Sequence, residues 1–270
     1  MENKNVFIAI ALSMTVLLFW QYAFVDTTKD INKKNVIKNE KIKNKKIVDD
    51  NSITPNINQT NEIISLSRSD SIKNSQRVRI ENKNIIGSIS LKGAIIDDLS
   101  FKNYKKDIAK DEIINLLNPR DTTNGYFIET GWTSVGSKID VPNTNSIWKT
   151  VGTNKLVANK SLILEWENKN GIVFRKKIEL DDKFLFKVTQ EIINESKEAI
   201  SLYPYAQITR NKIPDDIQNF YISHEGFIGV FDEELKEDDY DDIEDKKINR
   251  EADNGWFGIT DKYWLTAIVP

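Results

Sequence analysis

The chain has 270 residues, with 38 lysines and arginines against 41 aspartates and glutamates, which gives a formal net charge of -3. This near balance argues against a nucleic-acid partner, because nucleic-acid-binding domains carry a surplus of basic residues. The absence of cysteine excludes disulfides, thiol catalysis and cysteine zinc sites. The single histidine, His224, argues against a histidine-rich metal site or a conventional catalytic triad.

The first predicted element is a run of twenty mostly apolar residues, Val6 to Val25, that contains no charge. As a helix, this run would span roughly 30 Å, the thickness of the hydrocarbon core of a bilayer. The alternative is a cleaved signal peptide, whose apolar region is usually about 7–15 residues long and precedes a small-residue cleavage site. The sequence from Phe24 to Thr27 offers no such site, so residues 1–25 are predicted to form an uncleaved transmembrane anchor.

The charges that flank this run leave its orientation open. Eight lysines lie between Lys29 and Lys46, whereas the N-terminal tail carries Lys4 against Glu2. The positive-inside rule would place the lysine cluster in the cytoplasm, but long domains that follow an anchor are often translocated regardless of charge.

The segment from Asp26 to about Ser75 is predicted to be a polar, flexible tether. It is rich in Lys, Asn, Ser and Asp and has no sustained apolar period, so it buries too little apolar surface to offset the entropy of an ordered chain. Its lysines could rest on anionic lipid headgroups, although a solvated linker is the simpler interpretation.

Residues 76–270 have the pattern of many short strands separated by turns, with no amphipathic helix of twelve residues. Lys92-Gly93 and Asn170-Gly171 are turn signals, and apolar residues alternate along the segments on either side of them. The pattern predicts an all-β domain built as an antiparallel sandwich. The predicted strands are Ile85–Leu91, Ala94–Phe101, Leu162–Trp166, Ile172–Leu180, Phe184–Ile192, Leu202–Thr209, Asn219–Ser223 and Gly226–Phe231.

An acidic segment, Asp232 to Asp245, contains ten acids in fourteen residues and one lysine, Lys236. Calcium binding is one interpretation, because calcium takes several carboxylate oxygens. The segment lacks the glycine and the regular spacing of a calcium loop. A solvated acidic turn, whose charge prevents pairing with other strand edges, is the favoured interpretation.

His224 and Glu225 together suggest general acid–base chemistry, as in a sugar mutarotase built on a large β-sandwich. Such a site usually needs more than one histidine, and adjacent strand residues point to opposite faces. A structural histidine at a turn before Gly226 is therefore favoured.

The tryptophans raise a similar choice between a ligand groove and a packed core. Aromatic side chains are the largest contributors to a sandwich core, and core filling is the favoured interpretation. The five tryptophans concerned are Trp132, Trp148, Trp166, Trp256 and Trp264.

Five longer stretches resemble, in the same order, the YidC family of bacterial membrane protein insertases. The last of them, GWFGITDKYWLTAIVP, is a dense apolar and aromatic run that follows the acidic segment. Stretches of this length in this order are unlike chance matches, and with the N-terminal run the resemblance extends over essentially the whole chain apart from the tether. They are Ile89–Tyr104, Ile114–Trp132, Leu202–Arg210, Asn219–Ile243 and Gly255–Pro270.

The resemblance implies that the apolar run is the family's first transmembrane helix, with its N-terminus in the cytoplasm. Residues 76–270 would belong to the large periplasmic domain, a β-supersandwich related in fold to galactose mutarotase. The implied function is to assist the insertion and folding of inner-membrane proteins, without catalysis or a cofactor. The implied partners are the lipid bilayer, nascent membrane proteins and subunits of the Sec translocon.

The residues themselves indicate no catalytic, cofactor-binding or metal-binding site. The alternative function is a membrane-tethered periplasmic domain that binds sugars or resembles a mutarotase. In the YidC family the GW-x-x-x-x-DKYW stretch lies inside the periplasmic domain, before five further transmembrane helices that form the insertase proper. The expectation is therefore an N-terminal portion whose domain is truncated at Pro270, with the role of Trp256, Tyr263 and Trp264 left open.

Overall fold

The computed structural model describes residues 12–17, 19, 66–106, 111–134, 139–215, 217, 224–244 and 247–270. The chain divides into two compact units, Met1–Asn51 and Ser52–Pro270. In the first unit residues 12–17 are helical and their side chains are exposed. Within the described ranges no helix has the length and the apolar composition that membrane crossing requires. Most of the predicted anchor, Val6 to Val25, lies outside those ranges.

The second unit consists almost entirely of strands. Its only two helices among the described residues are short: α1 covers Arg68–Lys73 and α2 covers Tyr240–Glu244. The strands are β1 Arg77–Glu81, β2 Ile85–Ser90, β3 Ile95–Lys105, β4 Ile113–Leu117, β5 Tyr126–Ser134, β6 Lys149–Val151, β7 Lys155–Val157, β8 Ser161–Glu167, β9 Ile172–Leu180, β10 Phe186–Asn194, β11 Leu202–Arg210, β12 Gly226–Phe231, β13 Glu234–Asp239, β14 Gly255–Thr260 and β15 Leu265–Ile268.

The strands form three sheets. The first sheet has the order β11-β5-β3-β2-β1-β7, with β4 paired to β3; the second has the order β10-β9-β8-β6; and the third has the order β13-β12-β14-β15. Among the described strand pairs, only β1 and β7 are parallel. The predicted mainly β, antiparallel architecture is confirmed.

The core lies between the first and second sheets. Strand β9 alternates strictly between buried and half-buried residues, which places Phe174 and Ile178 on its inner face. The Phe174 ring lies 5.2 Å from the Trp132 ring of β5, and Trp132 stacks at 6.4 Å on Trp148. Trp132 and Trp148 are buried, so the prediction of core filling is confirmed for these two residues.

The other three tryptophans are only partly buried. Trp166 and Trp264 pack against the edge of the core, and Trp256 lies half-buried in β14. Their contribution to the core is therefore smaller than that of Trp132 and Trp148.

Several predicted strands agree with the structure in detail. Ile172–Leu180 and Gly226–Phe231 are strands with the predicted bounds, and Gly171 adopts the positive φ of 74° that a tight turn requires. Strand β10 begins at Phe186, two residues later than predicted. The predicted strand Asn219–Ser223 lies outside the described residues.

Strand β2 corrects one prediction. Its sequence predicts a half-buried strand with one buried face, but Ser88, Ile89 and Ser90 are all buried. A bulge at Ser88 and Ile89 shifts the register against β3, and a bulge turns consecutive side chains out of strict alternation. The sequence alternation predicted the strand but not its register.

Residues 66–75, which the sequence assigns to the tether, are ordered on the first sheet. Ser67 caps α1 by accepting a hydrogen bond from the Asp70 amide at 3.1 Å. Arg68 forms an ion pair with Asp98 of β3, and Leu66 donates its amide to the Asp121 carbonyl at 3.1 Å. A six-residue helix held by polar contacts shows no apolar period, which is why its sequence resembles a linker.

Candidate functional site

His224 and the acidic segment are the two candidate sites from the sequence, and both lie in or beside the third sheet. The His224 Nε2 lies 2.8 Å from the Phe227 carbonyl oxygen, and its Nδ1 lies 3.1 Å from an Asp239 carboxylate oxygen. Both ring nitrogens therefore face acceptors of the protein.

The acidic segment is more regular than a turn. Asp232 and Glu233 form the turn, with φ values of 49° and 71°, and the following residues form β13 and α2. Strand β13 is the edge of the third sheet, where charged side chains oppose pairing with another chain. The described residues contain no group of three or more histidine, aspartate or glutamate side chains arranged to hold a metal ion.

A polar junction joins the first sheet to the third. Arg210, the last residue of β11, forms a bidentate ion pair with Asp261, in which Nη2 lies 2.9 Å from Oδ2. Arg210 also donates to the Tyr240 hydroxyl at 3.0 Å, and its guanidinium lies 4.3 Å from the centre of the Tyr126 ring. We call Tyr126, Arg210, Tyr240 and Asp261 the Arg210 junction.

The charges of this junction stabilise each other. Burial lowers the pKa of Arg210, but the hydrogen bond to Asp261 and its negative charge raise that pKa by more, so the net shift is upward. Burial raises the pKa of the Tyr126 and Tyr240 hydroxyls, so both remain neutral. The junction is thus a single ion pair held by two neutral aromatic side chains.

The members of the Arg210 junction come from four of the stretches that resemble the YidC family. Tyr126 lies in Ile114–Trp132, Arg210 in Leu202–Arg210, Tyr240 in Asn219–Ile243 and Asp261 in Gly255–Pro270. Segments far apart in the chain therefore meet at one contact between sheets.

An aromatic cluster lies beside the turn that follows Asp261. Phe101 of β3 is at its centre, with ring centroids 5.6 Å from Tyr104, 5.8 Å from Phe184 and 4.4 Å from Trp264. These rings come from β3 and from the loops that join β9 to β10 and β14 to β15. We call Phe101, Tyr104, Phe184 and Trp264 the aromatic cluster.

A lysine lies between the first and second sheets. Lys176 occupies an inner position of β9 and is 1% exposed. Its Nζ donates to the Thr130 carbonyl oxygen at 2.6 Å and lies 4.8 Å from the centre of the Trp148 ring. Burial lowers the pKa of Lys176 to about 7. The neighbouring Gln190 of β10 donates to the Gly131 carbonyl at 2.7 Å, so two polar side chains link the sheets.

The cavity beside Lys176 is small. It is bordered by Glu129, Trp148 and Tyr205 among others, and its volume is about 10 Å³. A single water molecule needs about this much space, and a sugar ring needs many times more. Lys176 therefore serves the packing of the two sheets and has no room for a sugar beside it.

Sequence reasoning missed both Lys176 and the Arg210 junction. Lys176 had a signal, because it occupies an inner position in the alternation Ile172, Phe174, Lys176, Ile178. The Arg210 junction had none, because Arg210 and Asp261 are two ordinary charged residues about fifty positions apart.

The whole chain is similar to proteins of known name. It is 44% identical over 270 residues to a protein of Pelagibacter ubique named membrane protein insertase YidC, with 100% of this chain and 47% of that protein aligned. Proteins with the same name from Nitrobacter hamburgensis and Jannaschia are 35% and 33% identical, also over the whole chain and over 44% and 46% of their own lengths. The chain thus spans a little under half the length of the curated relatives that it matches.

The family comparison covers the part of the chain that holds all three sheets. Residues 77–270 match the YidC periplasmic domain family. This range begins at the first residue of β1 and contains the whole Arg210 junction. The chain therefore belongs to the YidC periplasmic domain family.

Proposed function

We propose that this chain is the N-terminal portion of a membrane protein insertase and that its β-domain is an accessory to the insertion and folding of integral membrane proteins. The observation that carries this proposal is the alignment of the whole chain with relatives named membrane protein insertase. The helical bundle that performs insertion would lie in the part of the relatives that this chain does not span.

The proposed organisation has three parts. Residues 1–25 anchor the chain in the inner membrane as a single span, and residues 76–270 form the periplasmic domain. Residues 26–75 connect the two, and their last part contains α1, which packs on the first sheet. The apolar run Val6 to Val25 supports the anchor, and the family match from residue 77 supports the start of the domain.

The proposed partners are the lipid bilayer, nascent membrane proteins and subunits of the Sec translocon. We infer that the chain is not an enzyme and that the domain acts through contacts with these partners. The cavity beside Lys176 is too small for a sugar, so that site gives no support to the sugar-binding alternative. Transfer of a charged side chain to the centre of a bilayer costs about 3 kcal/mol on translocon scales, and an insertase would lower that cost by solvating the group without covalent chemistry.

Replacement of the N-terminal part of the Pelagibacter ubique relative by residues 1–270 tests the function. The chimera is expected to support growth of a bacterial host from which its own insertase is depleted, as the intact relative does. A chimera that reaches the membrane at the same level but inserts no client protein would contradict the proposal. Photo-crosslinking from Tyr203, which is exposed on β11, tests contact with Sec translocon subunits.

The proposed orientation places the N-terminus in the cytoplasm and the β-domain in the periplasm, and thiol labelling can test it. The chain contains no cysteine, so a single introduced thiol reports the side on which it lies. In spheroplasts, Ile213→Cys is expected to react with a membrane-impermeant maleimide, and Asn3→Cys is expected to react only after permeabilisation. The reverse pattern would show that the domain is cytoplasmic.

A further inference from the structure

Four exposed side chains belong to the aromatic cluster or directly follow or precede one of its members in the chain. Tyr104 is 45% exposed, Phe184 48%, Leu185 66% and Tyr263 74%. They come from the end of β3 and from the β9–β10 and β14–β15 loops, and the Phe101 ring holds these three elements together. We call Tyr104, Phe184, Leu185 and Tyr263 the tip surface. Burial of apolar surface at these positions away from water is favourable by about 25 cal/mol per Å².

The loops that carry the tip surface are held in place by hydrogen bonds. Asn82 donates to the carbonyls of Asp181 and Lys183 at 3.1 Å and 2.9 Å. The Asp181 carboxylate accepts the amides of Lys183 and Leu185 at 2.8 Å and 2.9 Å. In the other loop the Asp261 amide donates to the Trp264 carbonyl at 2.8 Å. Since the loops are already ordered, docking of the tip surface costs little conformational entropy.

Each element of the tip surface places lysine next to its apolar side chain. Lys105 and Lys106 follow Tyr104, Lys183 precedes Phe184, and Lys262 precedes Tyr263, with its Nζ 5.5 Å from that ring. Rings with polar ends and lysines with long apolar stems are the residues that prefer the boundary between lipid headgroups and acyl chains.

The charge of this surface is nearly balanced. Lys105 pairs with Asp111 and Lys106 with Glu112, both at 2.6 Å, and Lys83 lies 3.5 Å from Asp182 in the β9–β10 loop. Docking would therefore depend on apolar burial more than on anionic lipid.

We propose that the tip surface docks onto the headgroup and upper acyl region of the bilayer that holds the N-terminal segment. This inference rests on the proposed anchor, Val6 to Val25, which keeps a bilayer near the domain. The part of the predicted tether that precedes α1, residues 26–65, would reach roughly 35 Å as a flexible chain, enough for the domain to contact the surface to which it is tethered.

The absence of cysteine from the chain permits a depth measurement on the full chain. Leu185→Cys, Leu235→Cys and Ser13→Cys variants carry an environment-sensitive NBD fluorophore in phosphatidylcholine nanodiscs, with one chain per disc. Doxyl-labelled lipids are the quencher. Leu235 is a matched control, because it is an exposed leucine in β13 of the third sheet. Ser13 lies within the anchor and reports its insertion separately.

The label at residue 185 is expected to lose about half of its fluorescence, as for a side chain buried roughly 5–10 Å into the interface. The label at residue 235 should be unaffected, and high salt should not reverse the quenching at residue 185. The additional changes Phe184→Ser and Tyr263→Ser should abolish that quenching, whereas Ile147→Ser and Tyr203→Ser, at exposed sites on other elements, should leave it intact.

Three results would overturn the proposal. Quenching at residue 13 but not at residue 185 would show that the anchor is inserted and the tip surface faces solvent or a protein. Equal quenching at residues 185 and 235 would show a domain lying on lipid without a preferred surface. Absence of quenching at residue 13 would contradict the proposed anchor, on which both the membrane location in the proposed function and this docking inference rest.

Discussion

Replacement of Arg210 by methionine is expected to destabilise the domain by about 2–4 kcal/mol, the largest effect that we predict for a single change. Removal of one member of a partly buried ion pair leaves the other charge without compensation. Asp261 would keep its charge but lose both guanidinium hydrogen bonds. The cation–π contact with Tyr126 would also be lost. Urea unfolding of the full chain in detergent, followed by tryptophan fluorescence, measures the change.

Arg250 offers a matched control for this prediction. It forms a bidentate pair with Asp238, in which Nη2 lies 2.7 Å from Oδ1, and its guanidinium lies 5.6 Å from the Phe231 ring. That pair connects neighbouring segments of the third sheet and joins no second sheet, so Arg250→Met should cost at most about 1 kcal/mol.

A double variant sharpens the test of the Arg210 junction. Arg210→Met combined with Asp261→Asn should recover part of the loss, because the uncompensated charge is gone. Equal effects of Arg210→Met and Arg250→Met would contradict the idea that Arg210 holds the first and third sheets together.

Replacement of Lys176 by methionine is expected to abolish a pH dependence of stability. In the folded chain burial lowers the pKa of Lys176 to about 7, whereas an unfolded lysine has a pKa of about 10.4. Between these values the unfolded state binds more protons than the folded state, so the free energy of unfolding rises with pH, by up to about 1.4 kcal/mol per pH unit. The unmodified chain should therefore gain about 2–3 kcal/mol between about pH 7.5 and 9.5.

The buried tyrosines do not titrate between about pH 7.5 and 9.5. Burial raises the pKa of Tyr205 to about 12, and the raised pKa values of buried tyrosines reduce stability only above their ordinary value of about 10. Urea unfolding at each pH gives the slope directly. The absolute stability of Lys176→Met is less informative, because the loss of the Thr130 hydrogen bond and the relief of burial oppose each other.

Lys177 is the matched control for Lys176. It is the next residue of β9, its side chain lies on the outer face, and it pairs with Glu179 at 3.0 Å. Lys177→Met should retain the full rise in stability with pH. A rise that persists in Lys176→Met, or that disappears in Lys177→Met, would show that another group is responsible.

Features that depend on neighbouring residues were predicted correctly from the sequence, whereas features that depend on distant residues were missed. Strand β9 was predicted with its bounds because the alternation from Ile172 to Leu180 records which side chains face the core. Helix α1 was missed because its six residues are held by Arg68 and Ser67 through polar contacts that leave no period in the sequence. The register of β2 was missed because a bulge depends on the partner strand β3.

The sequence by itself determined the mainly β architecture, the apolar N-terminal run and the resemblance to the YidC family, since each is encoded in neighbouring residues. Only the tertiary structure decided that Arg210 meets Asp261, that Lys176 lies between two sheets, and that the end of β3 and two loops bring Tyr104, Phe184 and Trp264 together around Phe101. The physical reason is that these contacts join residues far apart in the chain. Their energies depend on burial and distance, and neither quantity is written in the spacing of the residues.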